Sequence, residues 1–223
     1  MTTGCFVTGT DTGIGKTWVS MGLARGWHRA GYATAALKPI ASGCETTPEG
    51  LRNEDALLLQ ASASVALPYD TVNPYRFEPP IAPHIAAREA GVTIAFDRVR
   101  RAVDEARAAG AERVVVEGVG GWQVPLAGQA TVADLAAFLE LPVVLVVGLR
   151  LGCLNHALLT LESIHRRGVE VLGWVANAVD PDFDRAEANL ATLKERLDAP
   201  LLGVVPWLAH PDADRIAQAL DLT

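Results

Sequence analysis

The stretch Gly9-Thr10-Asp11-Thr12-Gly13-Ile14-Gly15-Lys16-Thr17 decides the fold. An apolar run precedes it at residues 5–8, and an amphipathic stretch begins near Lys16, so a glycine-rich turn joins a strand to a helix. In that context the backbone N–H groups of the turn can wrap a β-phosphate, Lys16 can reach the β/γ oxygens and Thr17 can offer its hydroxyl to Mg²⁺. The predicted nucleotide-facing set is Gly13, Ile14, Gly15, Lys16, Thr17 and Trp18. The strict spacing G-x-x-x-x-G-K-[ST] would want glycine at Thr10, whereas it stands one place earlier, at Gly9, so this is a variant loop.

Working outward, short apolar runs rich in β-branched residues recur at 33–37, 114–116, 143–147, 171–176 and 201–205, with longer amphipathic stretches between most of them. Runs without a polar alternate are buried on both faces, which predicts a mostly parallel central sheet flanked by helices. The expected fold is three-layer α/β of the P-loop NTPase type, as a single domain over residues 1–223. The clearest helix is 154–167, with Leu154, Leu158, Leu161 and Ile164 on one face and Gly168 as a stop. Residues 53–66 read as a helix. The proline-broken segment 67–83 carries Tyr69, Tyr75, Phe77 and Ile81, so it reads as an ordered excursion leading into a helix near 84–89.

The net charge of −7 and the lack of any Lys/Arg run longer than two residues argue against a nucleic-acid partner. Cys5, Cys44 and Cys153 are widely spaced and form no C-x-x-C pair, as expected of reduced thiols. The longest apolar stretch, 141–149, is too short to span a bilayer, and no export signal precedes it. A cytoplasmic protein with no membrane partner is the expectation.

In open parallel sheets ligands bind beyond the carboxyl ends of the strands, so the polar residues that follow each apolar run should converge. These are Lys16 and Thr17, Lys38, Glu117 with Gly118-Val119-Gly120-Gly121, the segment from Arg150 to Asn155, Asn177, and Pro206-Trp207. Glu117 closes the Val-Val-Val run, where an acid beside the phosphate loop can hold Mg²⁺. Lys38 would face the same crevice or snorkel at the surface, and spacing does not choose between them. Asp55 reads as an acid favoured in the first turn of a helix. Asn177 could read a base edge or cap a turn. Free N–H groups at Gly152-Cys153-Leu154-Asn155 could hold an anion.

Taken together, Thr8-Gly9-Thr10-Asp11-Thr12, Gly15-Lys16-Thr17, Lys38-Pro39, Ser42-Gly43, Asn53-Glu54-Asp55, Pro83-His84, Glu117-Gly118-x-Gly120-Gly121, Gly152-Cys153-x-Asn155-His156 and Pro206-Trp207 closely resemble the dethiobiotin synthetase family. The resemblance covers nearly the whole chain. It implies a Mg²⁺-dependent enzyme that uses ATP and CO₂ to close the ureido ring of dethiobiotin on 7,8-diaminopelargonic acid, through a carbamate and a carbamic-phosphoric anhydride. By position match, Lys16 and Lys38 would stabilise phosphoryl transfer, and Thr17, Asp55 and Glu117 would hold Mg²⁺. Gly118, Val119 and Gly120 would border the nucleotide, while Asn177, Pro206, Trp207 and Leu208 would hold the adenine. Thr12, Lys38 and Ser42 would contact the diamine or carbamate. Gly152, Cys153, Leu154 and Asn155 would meet the substrate carboxylate across a homodimer interface. Many members of the family carry Glu at the position of Gly13.

The rival reading is a regulatory ATPase of the partition or site-selection type. Those proteins carry a second lysine early in the loop, in K-G-G-x-G-K-T; here that place is Asp11.

Overall fold

The computed structural model describes residues 4–210 and 212–222. The chain opens with β1 (Gly4–Gly9), α1 (Lys16–Arg29) and β2 (Thr34–Leu37). An irregular section follows: β3 (Ile40–Ser42), β4 (Glu45–Thr47), β5 (Gly50–Arg52), α2 (Glu54–Ser62), α3 (Tyr69–Val72), β6 (Tyr75–Phe77) and α4 (Pro83–Glu89). Next come α5 (Phe96–Ala108), β7 (Arg113–Glu117), β8 (Pro125–Ala127), β9 (Ala130–Thr131), α6 (Val132–Leu139) and β10 (Val143–Leu149). The chain continues through α7 (Cys153–Arg166), β11 (Val171–Ala178), α8 (Ala186–Arg196), β12 (Leu201–Val205) and α9 (Ala213–Gln218).

All six apolar runs of the sequence become strands of one parallel sheet, in the order β12-β11-β10-β1-β7-β2. Because side chains alternate across a strand, each run feeds two cores. Phe6, Val114, Val116, Val143, Leu145 and Val147 face one side with α5, α6, α7 and Leu193 of α8. Cys5, Val7, Val115, Val144, Val146 and Val175 face the other, against Val19, Leu23 and Trp27 of α1, Leu59 of α2 and Ile216 of α9. The three-layer architecture follows from this double burial.

Two local readings are sharpened. The helix expected at 53–66 ends at Ser62, because the amides of Ser64 and Val65 both donate to the Thr34 carbonyl, at 3.1 and 2.9 Å, and so follow the edge of the sheet. The excursion at 67–83 contains α3 and β6, and β6 pairs in parallel with β3. No helix among the described residues is long and apolar enough to cross a membrane.

Candidate active site

The turn after β1 starts α1 with Gly15 at φ +78°, a left-handed conformation that glycine adopts without strain. No side chain caps the first turn of α1 and no acid sits in it, so its N–H groups stay available for an anion. A Cβ on Gly15 would lie 2.1 Å from Asn177 Nδ2. That amide donates to the Ile14 carbonyl at 2.9 Å, tethering the turn to the end of β11. Lys16 Nζ donates to the Asp11 carbonyl at 2.7 Å, lying back over the loop. The Asp11 carboxylate accepts from the Thr12 amide at 2.7 Å and forms an ion pair with Arg150.

Beside the turn, β2 delivers Lys38 into a buried position, 5% exposed, and β7 delivers Glu117, 1% exposed. Lys38 Nζ is held by Glu117 Oε1 and by Asp55 Oδ2, the latter at 3.1 Å. Thr17 Oγ1 donates to the same Glu117 oxygen at 2.9 Å. Asp55 stands in the first turn of α2, whose N-cap Asn53 accepts from the Ala56 amide at 3.2 Å.

The two lysines are shifted in opposite directions. Burial, and then the charge of Lys38, lowers Lys16 to about 8. Burial alone would lower Lys38 too, but the carboxylates of Glu117 and Asp55 outweigh it and hold Lys38 above its ordinary value. Asp55 shows the converse: burial would raise it, yet the Lys38 ammonium holds it below the usual carboxylate range. The two carboxylates therefore keep Lys38 cationic.

These groups border one cleft of about 780 Å³. It brings together Thr12, Gly13, Gly15, Lys16, Thr17, Trp18, Lys38, Ser42, Asp55, Glu117, Val119, Gly120, Asn177, Trp207 and Leu208. Ile14 and Gly118 lie behind its wall: Ile14 is buried, and Gly118 packs against Phe6 and Val132. Pro206 is exposed beside the rim residue Trp207. Gly152, Cys153, Leu154 and Asn155 do not border the cleft. They open α7 with Gly152 at φ +94° and no capping side chain, next to Leu151, which is 90% exposed. Of the two readings of Asn177, no cap on the following turn appears among the described hydrogen bonds: the residue is buried, borders the cleft and spends one amide hydrogen on the phosphate loop.

Glu117 Oε2 and Ser42 Oγ are buried and lack hydrogen-bond partners within the chain, and both residues border the cleft. Among the described residues no three His, Cys, Asp or Glu side chains gather as a metal cage. Mg²⁺ does not require one, since it is usually held by one or two carboxylates, phosphate oxygens and water. Two carboxylates and a hydroxyl beside a phosphate loop fit that chemistry.

Sequence reasoning missed three groups. Asp11 was read as part of the loop motif and as the place of a missing second lysine, with no contact of its own, yet its carbonyl receives Lys16 and its carboxylate meets Arg150. Residues 80–83 form one wall of the cleft. Asn73, wholly buried, donates to the Lys38 carbonyl. Asn73 stands directly before Pro74 among other polar residues, Asp70, Thr71 and Arg76, and nothing in that local pattern marks it as the buried one.

The sheet, the glycine turn and the lysine that opens α1 define a P-loop nucleoside triphosphatase. In agreement, a family model described as an AAA domain matches residues 3–215. The MinD cell division protein of Aquifex aeolicus superposes with a TM-score of 0.56 at 13% identity, covering 98% of this chain and 87% of that one, a likeness of fold. Closer relatives narrow the class. The ATP-dependent dethiobiotin synthetase BioD of Pseudomonas paraeruginosa is 58% identical over 217 residues, 97% of this chain and 95% of that protein. The protein of the same name from Xanthomonas oryzae pv. oryzae is 50% identical over 97% of this chain and 96% of its own length. The chain belongs to the ATP-dependent dethiobiotin synthetase family and is an enzyme of the ligase class.

Proposed function

We propose that this enzyme closes the ureido ring of dethiobiotin from 7,8-diaminopelargonic acid, CO₂ and ATP in the cytoplasm, giving ADP and phosphate. One amine of the diamine adds to CO₂, forming an N–C bond and losing a proton. The carbamate oxygen then takes the γ-phosphoryl group as its bond to ADP breaks. The second amine attacks the carbonyl carbon, phosphate leaves and the ring closes.

The observation that carries this reading is the cationic Lys38, held by two carboxylates and bordering the same cleft as Lys16. Phosphoryl transfer to a carbamate gathers anionic oxygens from both reactants, and fixed positive charge on either side lowers the energy of that meeting. Lys16 would leave the Asp11 carbonyl for the β/γ oxygens, while Lys38 would face the carbamate. Thr17, Asp55 and Glu117 would hold Mg²⁺, which neutralises phosphate charge when bound. Thr12 and the unpartnered hydroxyl of Ser42 would orient the diamine. Asn177, Pro206, Trp207 and Leu208 would enclose the adenine, with Gly118, Val119 and Gly120 along the nucleotide. Gly152, Cys153, Leu154 and Asn155 would bind the far carboxylate from a second copy of the chain in a homodimer. The exposure of Leu151, and of Leu158 and Leu159 on α7, supports a covered face there.

The partition-type alternative lacks support at the residue that defines it: Asp11 holds Arg150 where the second lysine would stand. The test is phosphate release from ATP with each component omitted in turn. The reading requires both diamine and bicarbonate; hydrolysis independent of the diamine and stimulated by a protein partner overturns it.

A further inference from the structure

A closed circuit of hydrogen bonds runs behind the cleft wall. Asn73 is 0% exposed, at the end of α3, and uses every polar atom of its side chain. Its Nδ2 donates to the Lys38 carbonyl at 2.6 Å and to the Tyr75 carbonyl at 3.2 Å. Its Oδ1 accepts from the Tyr69 hydroxyl at 3.2 Å. That hydroxyl in turn accepts from the Asn53 amide at 2.7 Å, and Asn53 is the N-cap of the helix that carries Asp55. The circuit closes in the cleft itself, where Lys38 Nζ meets Asp55 Oδ2 at 3.1 Å.

Neither Asn73 nor Tyr69 borders the cleft, so neither touches substrate. Burying this much polarity away from a ligand gains little stability over apolar packing of the same shape, but a fully satisfied network does fix relative position. The positions fixed here are the backbone of Lys38 and the first turn of α2. These are the two parts that must stay in register for one ammonium to lie between Asp55 and Glu117.

We propose that Asn73, acting through Tyr69, is a positioning residue that sets the Lys38–Asp55 pair for phosphoryl transfer. This rests on the reaction assigned above. Small displacements of a reacting or stabilising group cost rate steeply, whereas binding of a nucleotide held mainly by the backbone of the phosphate loop depends less on them.

Tyr69→Phe removes one hydroxyl and keeps the ring, and Asn73→Leu removes the amide at similar volume. In diamine-dependent turnover, Tyr69→Phe should lower kcat roughly tenfold while KM for ATP moves by less than about threefold, and the melting temperature should fall by only a few degrees as the Asn53 amide and Asn73 Oδ1 each lose a partner. Asn73→Leu should lower kcat at least as far, and the double variant should be no slower than the slower single, since both open the same circuit. An unchanged kcat in Tyr69→Phe, or a loss that only follows the folded fraction, overturns the proposal. If Asn73→Leu does not fold, Tyr69→Phe decides alone. If the wild-type chain shows no diamine-dependent turnover, the reaction reading fails separately. Hydrogen exchange then decides: faster exchange at the Ala56 and Leu57 amides in Tyr69→Phe supports the positioning role, and unchanged exchange overturns it.

Discussion

The two walls of the cleft are built in different ways. The phosphate loop, residues 9–17, is shaped chiefly by backbone, with glycine at positive φ and an uncapped helix start, and is tethered by Asn177, by Arg150 and by the hydrogen bond from Thr17 to Glu117. The Lys38 wall is made by side chains from three separate elements, which meet at one ammonium. The loop lysine rests on a carbonyl and has its pKa lowered, whereas Lys38 is clamped by carboxylates and has its pKa raised. The loop wall is suited to take up and release a phosphate group, and the other to hold charge still while a bond is transferred.

That contrast is broken most directly at Lys38. Lys38→Gln removes the cation but leaves the loop intact, so kcat should fall by about 10²–10³-fold while ATP affinity stays within a few-fold. If titration calorimetry showed nucleotide affinity collapsing while turnover survived, the roles of the walls would be reversed. The opposite wall is probed by Gly15→Ala. The new Cβ falls 2.1 Å from Asn177 Nδ2 at φ +78°, so the tether must give way and the backbone is strained by about 1–3 kcal/mol. The expected outcome is a roughly tenfold loss of nucleotide affinity, about 1.4 kcal/mol, with a lower melting temperature; a variant that binds ATP normally would show that the tether is dispensable.

A smaller effect is expected away from both walls. Asp134 completes a capping box with Thr131 at the start of α6 and pairs with Arg167. Asp134→Ala should cost about 1 kcal/mol of stability and leave kcat unchanged. Burial would raise the Asp134 carboxyl, but its hydrogen bonds with Thr131 and the charge of Arg167 hold it below its ordinary value. A depressed carboxylate contributes stability above its unfolded pKa and loses it as pH falls through the folded one. The difference in melting temperature between wild type and Asp134→Ala should therefore shrink on acidification; a gap that widened in acid would contradict the cap.

The legible parts of the molecule were those written in local pattern. Six apolar runs gave six strands, because strands buried on both faces cannot carry polar alternates, although the edge strand β12 leaves Val204 exposed. The helix at 154–167 and the one near 84–89 also appear, as α7 and α4. Asn177 was harder to read, since its partner is the Ile14 carbonyl, more than 160 residues away in the chain. Asn73 and Tyr69 were invisible as a pair, because the groups that they connect belong to β2 and α2.

By itself, then, the sequence determined the layered sheet, the phosphate loop and, through its resemblance, the family. Each of these is carried by residue type at short spacing, where backbone geometry dictates the outcome. Only the tertiary structure decided that Lys38 is a buried cation between Asp55 and Glu117 rather than a surface lysine, because its charge state depends on carboxylates 17 and 79 positions away in the chain. Electrostatics and burial act through space, and no window along the chain contains them.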